Sequence, residues 1–481
     1  MHPMIKFIAK YNTMPPAVKA GIWFTICNVL QRGIQFLATP IYTRVLSPEE
    51  YGMYSIFTSW LSIMTVLASL NLSGGVFYNG LIKYEDDKYR FTSSVQVLGS
   101  IATIIVFLIY SLLYPYLEGF IGLSYTLSIL MFLVILINPA FQFWSVQERI
   151  QYRYRSLIVF SICNALLIPV IGIASVVYFD LGYIGVIWGY VIGNCLISAY
   201  FYVKNLLIGK SVYVKEYWNF SLRFSLPLIP HYLAQILLGQ IGKIMVNYYL
   251  GIALAGVYTL AYQIALIMNL LITGINNALV PWMYRTLKNE SYSEIRIGTL
   301  KLVLIVVLCT SVLMILAPEF ILFFGTEKYM QAKWIIPPIM FSTCVTFVYC
   351  IYGTVLFFFE ETKKVAWATT SGALVNIIIN FFMIPKYGLV AAAYAMAIGY
   401  VVMYFFYYYY TYVVCSSRGY SVASIFDVKS FLIILISLFI ISLIVTYSFT
   451  VDNYIRYFAL MITISLTVFR FNTIKNFLIN K

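Results

Sequence analysis

The chain has 481 residues, of which 62% are hydrophobic and 10% charged, with a formal net charge of +14. Ordinary soluble domains carry roughly 25% charged residues, and burial saturates as domains grow, so this composition excludes a soluble globular protein and makes lipid the solvent. The basic excess calls for no nucleic-acid partner, because lysines and arginines that anchor spans at a membrane surface account for it.

The opening "MHPMIKFIAKYNTMPPAVKAG" lacks a compact apolar core followed by a small-residue cleavage site, so no removable signal peptide is expected and the first apolar run stays as a span. Mostly apolar segments of about 20 residues or more, the length a helix needs to cross hydrocarbon, follow along the chain. They run from 17 to 42, 51 to 73, 91 to 116, 123 to 147, 156 to 179, 184 to 207, 220 to 248, 253 to 283, 298 to 324, 333 to 359, 364 to 384, 388 to 414, 428 to 449 and 453 to 472. The predicted fold is therefore an all-α polytopic membrane protein of about fourteen spans, with ends placed to about 2 to 4 residues. With the N-terminus inside, 24 Lys and Arg fall on the cytoplasmic side and only six (Arg44, Lys243, Lys328, Lys333, Lys386, Arg456) on the other. Cytoplasmic loops are enriched in this way, so both termini are expected in the cytoplasm.

The first span reads "CNVLQRGIQFLAT", in which Asn28, Arg32, Gln35 and Thr39 share one helical face. Placing a guanidinium near mid-membrane costs at least about 2.5 kcal/mol on insertion scales, so such a group usually faces a wet cavity or a partner. No Asp or Glu falls in the middle of a span to pair with it, and an unpaired cation in a cavity suits an anionic ligand. The second span carries Ser55, Ser59, Ser62, Ser69 and Ser73 at near-helical spacing. The seventh, "SLPLIPHYLAQILLGQIGKIM", puts His231, Gln235 and Gly239 on one face with Lys243 toward its edge, and Pro227 and Pro230 should kink it. Lys243 is near the span end, where a lysine commonly snorkels. The eighth span shows Tyr262, Asn269, Thr273 and Asn276. Such stripes often serve only interhelical hydrogen bonds, but on spans 1, 2, 7 and 8 of a two-lobed bundle they are placed to line one polar cleft. Farther along, "YYYY" at 407 to 410 offers rings on which sugars stack, but interfacial aromatic belts explain most such tyrosines, and no specific role is assigned to them. The seven cysteines form no CxxC pair and pack as small hydrophobes, so no disulfide framework, metal site or cofactor is called for. Walker, HExxH and GxSxG motifs are lacking, and the loops are short for a catalytic lid, so the chain is not expected to be an enzyme.

The sequence repeats itself. "RVLSPEEYGMYSIF" from Arg44 returns as "YYLGIALAGVYTLA", pairing Leu46 with Leu250, Gly52 with Gly256 and Tyr54 with Tyr258 at an offset of 204. "LGYIGVIWGYVIG" from Leu181 returns as "YGLVAAAYAMAIG" from Tyr387 at an offset of 206, pairing Gly182 with Gly388, Trp188 with Tyr394 and Gly193 with Gly399. Two independent matches at nearly one offset indicate duplication. Because six spans separate the copies, the halves run in the same direction. The expected domains are a lobe at 1–207 (spans 1 to 6), a lobe at 208–415 (spans 7 to 12) and two appended spans at 416–481. In both copies small residues spaced by four, Gly185, Gly189 and Gly193 in one and Ala391, Ala395 and Gly399 in the other, offer a close-packing seam.

Two six-span lobes plus two, with "TRVLSPEEYGMYSIF" after the first span, "YLGIALAGVYTLAYQI" after the seventh and "IPKYGLVAAAYA" entering the twelfth, resemble the Wzx-type polysaccharide flippases of the multidrug/oligosaccharidyl-lipid/polysaccharide exporter superfamily. The likeness covers the whole chain. It implies movement of an undecaprenyl-pyrophosphate-linked oligosaccharide across the bacterial inner membrane by alternating access, for O-antigen or capsule synthesis. The implied partners are that glycolipid, membrane lipids, a polysaccharide polymerase and a chain-length regulator. Cationic residues commonly line the cavity in this family, and Arg32 and Lys243 are the matching candidates here. Spans 13 and 14 would, by similarity to lipid II flippases, shape a groove for the polyprenyl tail. Many relatives have an acidic residue in span 7, where "GQIGKIM" has none. The competing readings are a multidrug antiporter of the same fold, which needs a buried carboxylate, and a membrane glycosyltransferase or polymerase.

Overall fold

A computed structural model describes residues 14–450 together with Tyr457, so the expected fourteenth span lies, apart from that tyrosine, outside the described residues. The basic residues Lys6, Lys10, Arg456, Arg470, Lys475 and Lys481 lie outside them too. All regular elements among the described residues are helical. They are α1 (Pro16–Val45), α2 (Pro48–Ala68), α3 (Gly75–Lys83), α4 (Lys88–Ile121), α5 (Tyr125–Ile137), α6 (Pro139–Ile150), α7 (Tyr154–Phe179), α8 (Gly182–Gly209) and α9 (Lys215–Ser225). After a short 3₁₀ turn, Leu226–Leu228, come α10 (Ile229–Leu250), α11 (Ile252–Lys288), α12 (Tyr292–Ile315), α13 (Ala317–Phe324), a 3₁₀ stretch at Glu327–Trp334, α14 (Ile336–Phe358), α15 (Thr362–Tyr387), α16 (Leu389–Ser417), α17 (Val422–Ile425) and α18 (Val428–Ser448). The kink expected at Pro227 takes the form of that 3₁₀ turn between α9 and α10.

Among the described residues ten helices are long and apolar enough to cross a membrane, the continuous α5 and α6 counting as one. The protein is thus a multi-pass integral membrane protein. Helices α1, α2 and α10 are also long enough, at 30, 21 and 22 residues, but too polar to be counted with the ten. They are three of the four elements in which the sequence shows polar stripes, and the shortfall has that cause.

The residues that return in the sequence make the same turns. At the first hairpin the Ser47 hydroxyl accepts from the Glu50 N–H (3.2 Å) while the Glu50 carboxylate accepts from the Ser47 N–H (2.9 Å). This capping box starts α2, with Pro48 in its first turn. In the second copy Gly251 holds the corresponding place at φ 93 without a side-chain cap. Glycine there does by backbone freedom what serine does by hydrogen bonding. The ends of α6 and α14 also match: Tyr152 (φ 55) and Glu360 (φ 61) turn left-handed. The Arg153 N–H then reaches the Glu148 carbonyl (2.8 Å) and the Glu361 N–H the Leu356 carbonyl (2.9 Å), closing each helix with a Schellman-type bond.

The chain forms two compact units that divide between Ile236 and Leu237, within α10. In the first, an aromatic cluster of Phe77, Phe91, Phe143 and Tyr217 ties α3, α4, α6 and α9 together. Tyr217 donates to Asp87 (3.1 Å) and Trp218 to Ser94 (3.0 Å), which fastens the amphipathic α9 to α4 and its approach. In the second, α14 is buried along nearly its whole length and packs against α11, α12, α16 and α18. Each unit uses the expected small-residue seam. A Cβ on Gly189 of α8 would lie 2.3 Å from the Gly172 nitrogen of α7, and one on Gly372 of α15 would lie 2.8 Å from the Gly399 carbonyl of α16. With lipid offering no hydrophobic gain between spans, such close backbone approach supplies the packing.

Candidate functional site

Helix α1 packs against α7, burying Ala20, Cys27 and Ala38. At 100° per residue, the face holding Asn28, Arg32 and Gln35 lies roughly 100° around the helix from that packed edge. All three side chains are exposed. The exposed apolar residues Ile26, Val29 and Leu37 occupy a separate sector, roughly 140° from the polar one. The helix therefore has one greasy uncovered face and one polar uncovered face. A face carrying a guanidinium in a span needs water or a polar partner. Thr39, the last member of the stripe, is buried, and its hydroxyl donates to the Gln35 carbonyl at 3.3 Å.

On α10, Gln235 is exposed and His231 half-buried, with the His231 Nδ1 enclosed and unpartnered among the described residues. Lys243 belongs to the second unit and does not snorkel. It is 4% exposed, its Nζ donates to Gln240 Oε1 at 3.1 Å, and it sits 4.6 Å over the ring of Tyr262 from α11. The site is shaped for this contact: a Cβ on Gly239 would come 2.9 Å from the Tyr262 hydroxyl. Among the described residues no carboxylate forms an ion pair with Lys243. Farther along α11, Asn269 and Asn276 are half-buried and Thr273 is exposed, its hydroxyl donating to the Asn269 carbonyl at 2.6 Å.

The serine stripe of α2 behaves differently from the stripe of α1. Ser55 and Ser59 are buried, while Ser62 and Ser69 donate to the Thr58 and Thr65 carbonyls one turn back, at 2.8 and 2.6 Å. Those two hydroxyls are satisfied within their own helix. In the tyrosine run, Tyr409 is exposed, but Tyr407 is a core residue that packs on Tyr349 (4.9 Å between ring centres) and shares a hydrogen bond with Thr369 at 3.3 Å. That residue is no part of an interfacial belt.

Spacing by itself does not single out Gln240 and Tyr262 as the surroundings of Lys243, although Gln240 lies three residues before it on α10 and Tyr262 on the next helix, α11. A further pair of polar residues, Asn376 and Asn380 in α15, is fully buried. Asn380 Nδ2 donates to the Asn376 carbonyl (2.9 Å) and to Asn376 Oδ1 (3.2 Å), and Asn380 Oδ1 is buried without a partner among the described residues. Two amides four residues apart in an apolar run were the available signal.

The first unit thus carries a polar stripe with one guanidinium on α1, and the second, by itself, carries a buried ammonium on α10 and paired amides on α15. A relative from the Lsg locus of Haemophilus influenzae is 21% identical over 377 residues, covering 75% of this chain and 89% of that protein. Among solved structures, the lipid II flippase MurJ in an inward closed conformation superposes with a TM-score of 0.68 at 16% identity, covering 94% of this chain and all of that one. An inward-facing multidrug resistance MATE family transporter of the MOP superfamily gives 0.62 at 14% identity, covering 80% and 95%. The fold is the one these transporters share. The family model described as "Polysaccharide biosynthesis protein" matches residues 17–287, and with more than half of its length matched, this chain belongs to the polysaccharide biosynthesis protein family.

Proposed function

We propose that the protein is a flippase that moves undecaprenyl-pyrophosphate-linked oligosaccharide repeat units across the bacterial inner membrane by alternating access, supplying O-antigen or capsule synthesis. Both termini lie in the cytoplasm in this reading. The two lobes comprise residues 1–207 and 208–415, and the spans after residue 416 attend the polyprenyl tail. The observation that carries it is the uncovered polar stripe of α1, with Arg32 exposed between Asn28 and Gln35. A pyrophosphate is anionic, and a guanidinium binds phosphate oxygens through two parallel N–H donors. Asn28 and Gln35 add amide donors for sugar or phosphate oxygens. Lys243, Gln235, His231, Asn269 and Asn276 are the remaining groups proposed for the headgroup. The family supports a polysaccharide precursor as cargo, and the transporter fold supports translocation over synthesis.

The test is complementation of a deletion strain with Arg32→Ala, inserted and expressed at the native level. Loss of one charge-assisted interaction, about 1.5 to 3 kcal/mol, predicts at least a tenfold fall in surface polysaccharide while lipid-linked intermediates accumulate on the cytoplasmic face. Export at the native rate removes Arg32 from the mechanism. Drug efflux in place of the glycolipid phenotype assigns the chain to the multidrug antiporter reading.

A further inference from the structure

Within the first unit, away from the stripe of α1, the ends of α4, α6 and α8 enclose a cavity of about 100 Å³. Its wall holds one carboxylate and two cations: Glu148 from α6, Arg153 from the turn after it, and Lys204 from α8. Glu148 is 9% exposed, yet among the described residues it forms no ion pair with either cation. The charges are held apart by construction. The left-handed Tyr152 folds the chain back so that Arg153 follows the helix end. Lys204 Nζ rests 5.6 Å from the ring centres of Tyr200 and Phe201. The floor is fixed by amides already satisfied: Asn205 donates to Gln96 (2.9 Å) and to the Ala140 carbonyl (3.2 Å), and Gln147 donates to Thr92. A pocket with a saturated floor and separated opposite charges fits a small ligand that is itself a zwitterion.

The rim indicates where that ligand comes from. Tyr200, Val203 and Leu207 of α8 are exposed apolar residues along one stripe, and Ile208 and Tyr89 at the cavity mouth are exposed as well. Lys204 lies at the edge of this lipid-facing stripe, at the end of the spans where lysine and arginine concentrate. A lipid headgroup reaches such a mouth with its acyl chains still in the bilayer.

We infer that this cavity is a binding site for a zwitterionic phospholipid whose headgroup carries a primary ammonium, a phosphoethanolamine. The ammonium donates N–H bonds to Glu148, and the phosphate sits against Arg153 and Lys204. A choline headgroup has no N–H to donate and is bulkier. A glycerol headgroup brings no cation, which leaves Glu148 facing an added anion.

The test uses the full-length chain in detergent micelles, with retention of phosphatidylethanolamine, phosphatidylcholine and phosphatidylglycerol of identical acyl chains compared by native mass spectrometry. The expected result is about tenfold stronger retention of the ethanolamine lipid, the factor a single discriminating interaction supplies, and loss of that preference in Glu148→Gln. Equal retention of ethanolamine and choline lipids by the native chain overturns the site, a comparison that requires no variant to fold. An unchanged preference in Glu148→Gln overturns it as well. Soluble glycerophosphoethanolamine, added at the lipid's concentration, should not displace the lipid; displacement overturns the lipid as the source.

Discussion

Desolvating an ammonium costs several kcal/mol, and around Lys243 the structure offers little return: one amide acceptor at 3.1 Å and one aromatic face at 4.6 Å. A cation over a desolvated ring returns about 2 kcal/mol. The residue is therefore poor value for stability, which points to a use for its charge. Replacing it with methionine should leave the thermal midpoint unchanged or raise it, since the substitution removes the desolvation cost of a buried charge while keeping a side chain of similar volume. Export should fall all the same, with Lys243→Arg retaining more than Lys243→Glu, which buries an unpaired anion. Thermal scanning of the solubilised variants beside surface-polysaccharide assays separates the two effects, and native export by the methionine variant sinks the charge role. Arg32 poses the opposite case, an exposed charge on a span whose only acceptable surroundings are polar.

Among elements, α18 shows how a helix start is tied to a neighbour. Asp427 precedes it, accepting from the Ser430 N–H at 3.2 Å and pairing with Arg296 of α12 at 3.2 Å. The Ser430 N–H first, and the Arg296 guanidinium after it, hold the Asp427 carboxyl below the usual carboxylate range. A lowered native pKa means that the stabilisation is complete above the unfolded value, near pH 4, and is lost as pH falls through the lower native value. Hydrogen exchange at residues 422 to 432 should accordingly be flat from pH 8 to 5, once corrected for intrinsic rates, and rise in more acidic buffer. Asp427→Ala should raise it at neutral pH about fivefold, as expected for a lost cap of about 1 kcal/mol. Identical protection in the variant counts against the cap. The same local satisfaction holds in the serine stripe of α2, so similar in spacing to the stripe of α1: the Ser62 and Ser69 hydroxyls are spent on carbonyls one turn back.

For the whole molecule, duplication is visible as repeated backbone geometry. Gly182 and Gly388 both take positive φ, at 53° and 66°, and each unit packs one pair of long helices on glycine, α7 with α8 and α15 with α16. The seams differ in tolerance, however. At Gly189 an added methyl meets backbone atoms at 2.3 and 2.5 Å, whereas at Gly399 the nearest atoms are the Asn376 Cβ at 2.9 Å and a carbonyl at 3.1 Å. Gly189→Ala should thus destabilise at the upper end of the about 1 to 3 kcal/mol typical of overpacking, and Gly399→Ala at the lower end. Thermal midpoints of the two variants in detergent should order accordingly, and a reversed order contradicts the packing described.

The sequence by itself determined the solvent, the helical class and the repeat. Apolar run length and charge placement report directly on a bilayer, and a turn that requires glycine or a capping serine writes those residues into the chain. Only tertiary structure decided which polar side chains are available. In lipid, every span is apolar on average, so exposure depends on which neighbour covers which face, and that is a property of packing rather than of spacing. The stripe of α1 stays uncovered beside its contact with α7, whereas Lys243 is enclosed by Tyr262 and Gln240. Glu148 appears in sequence only as a charge at the end of a span. Its place in a cavity with Arg153 and Lys204 comes from a local left-handed turn together with the approach of α8, and the second of these is a long-range contact that no local pattern encodes.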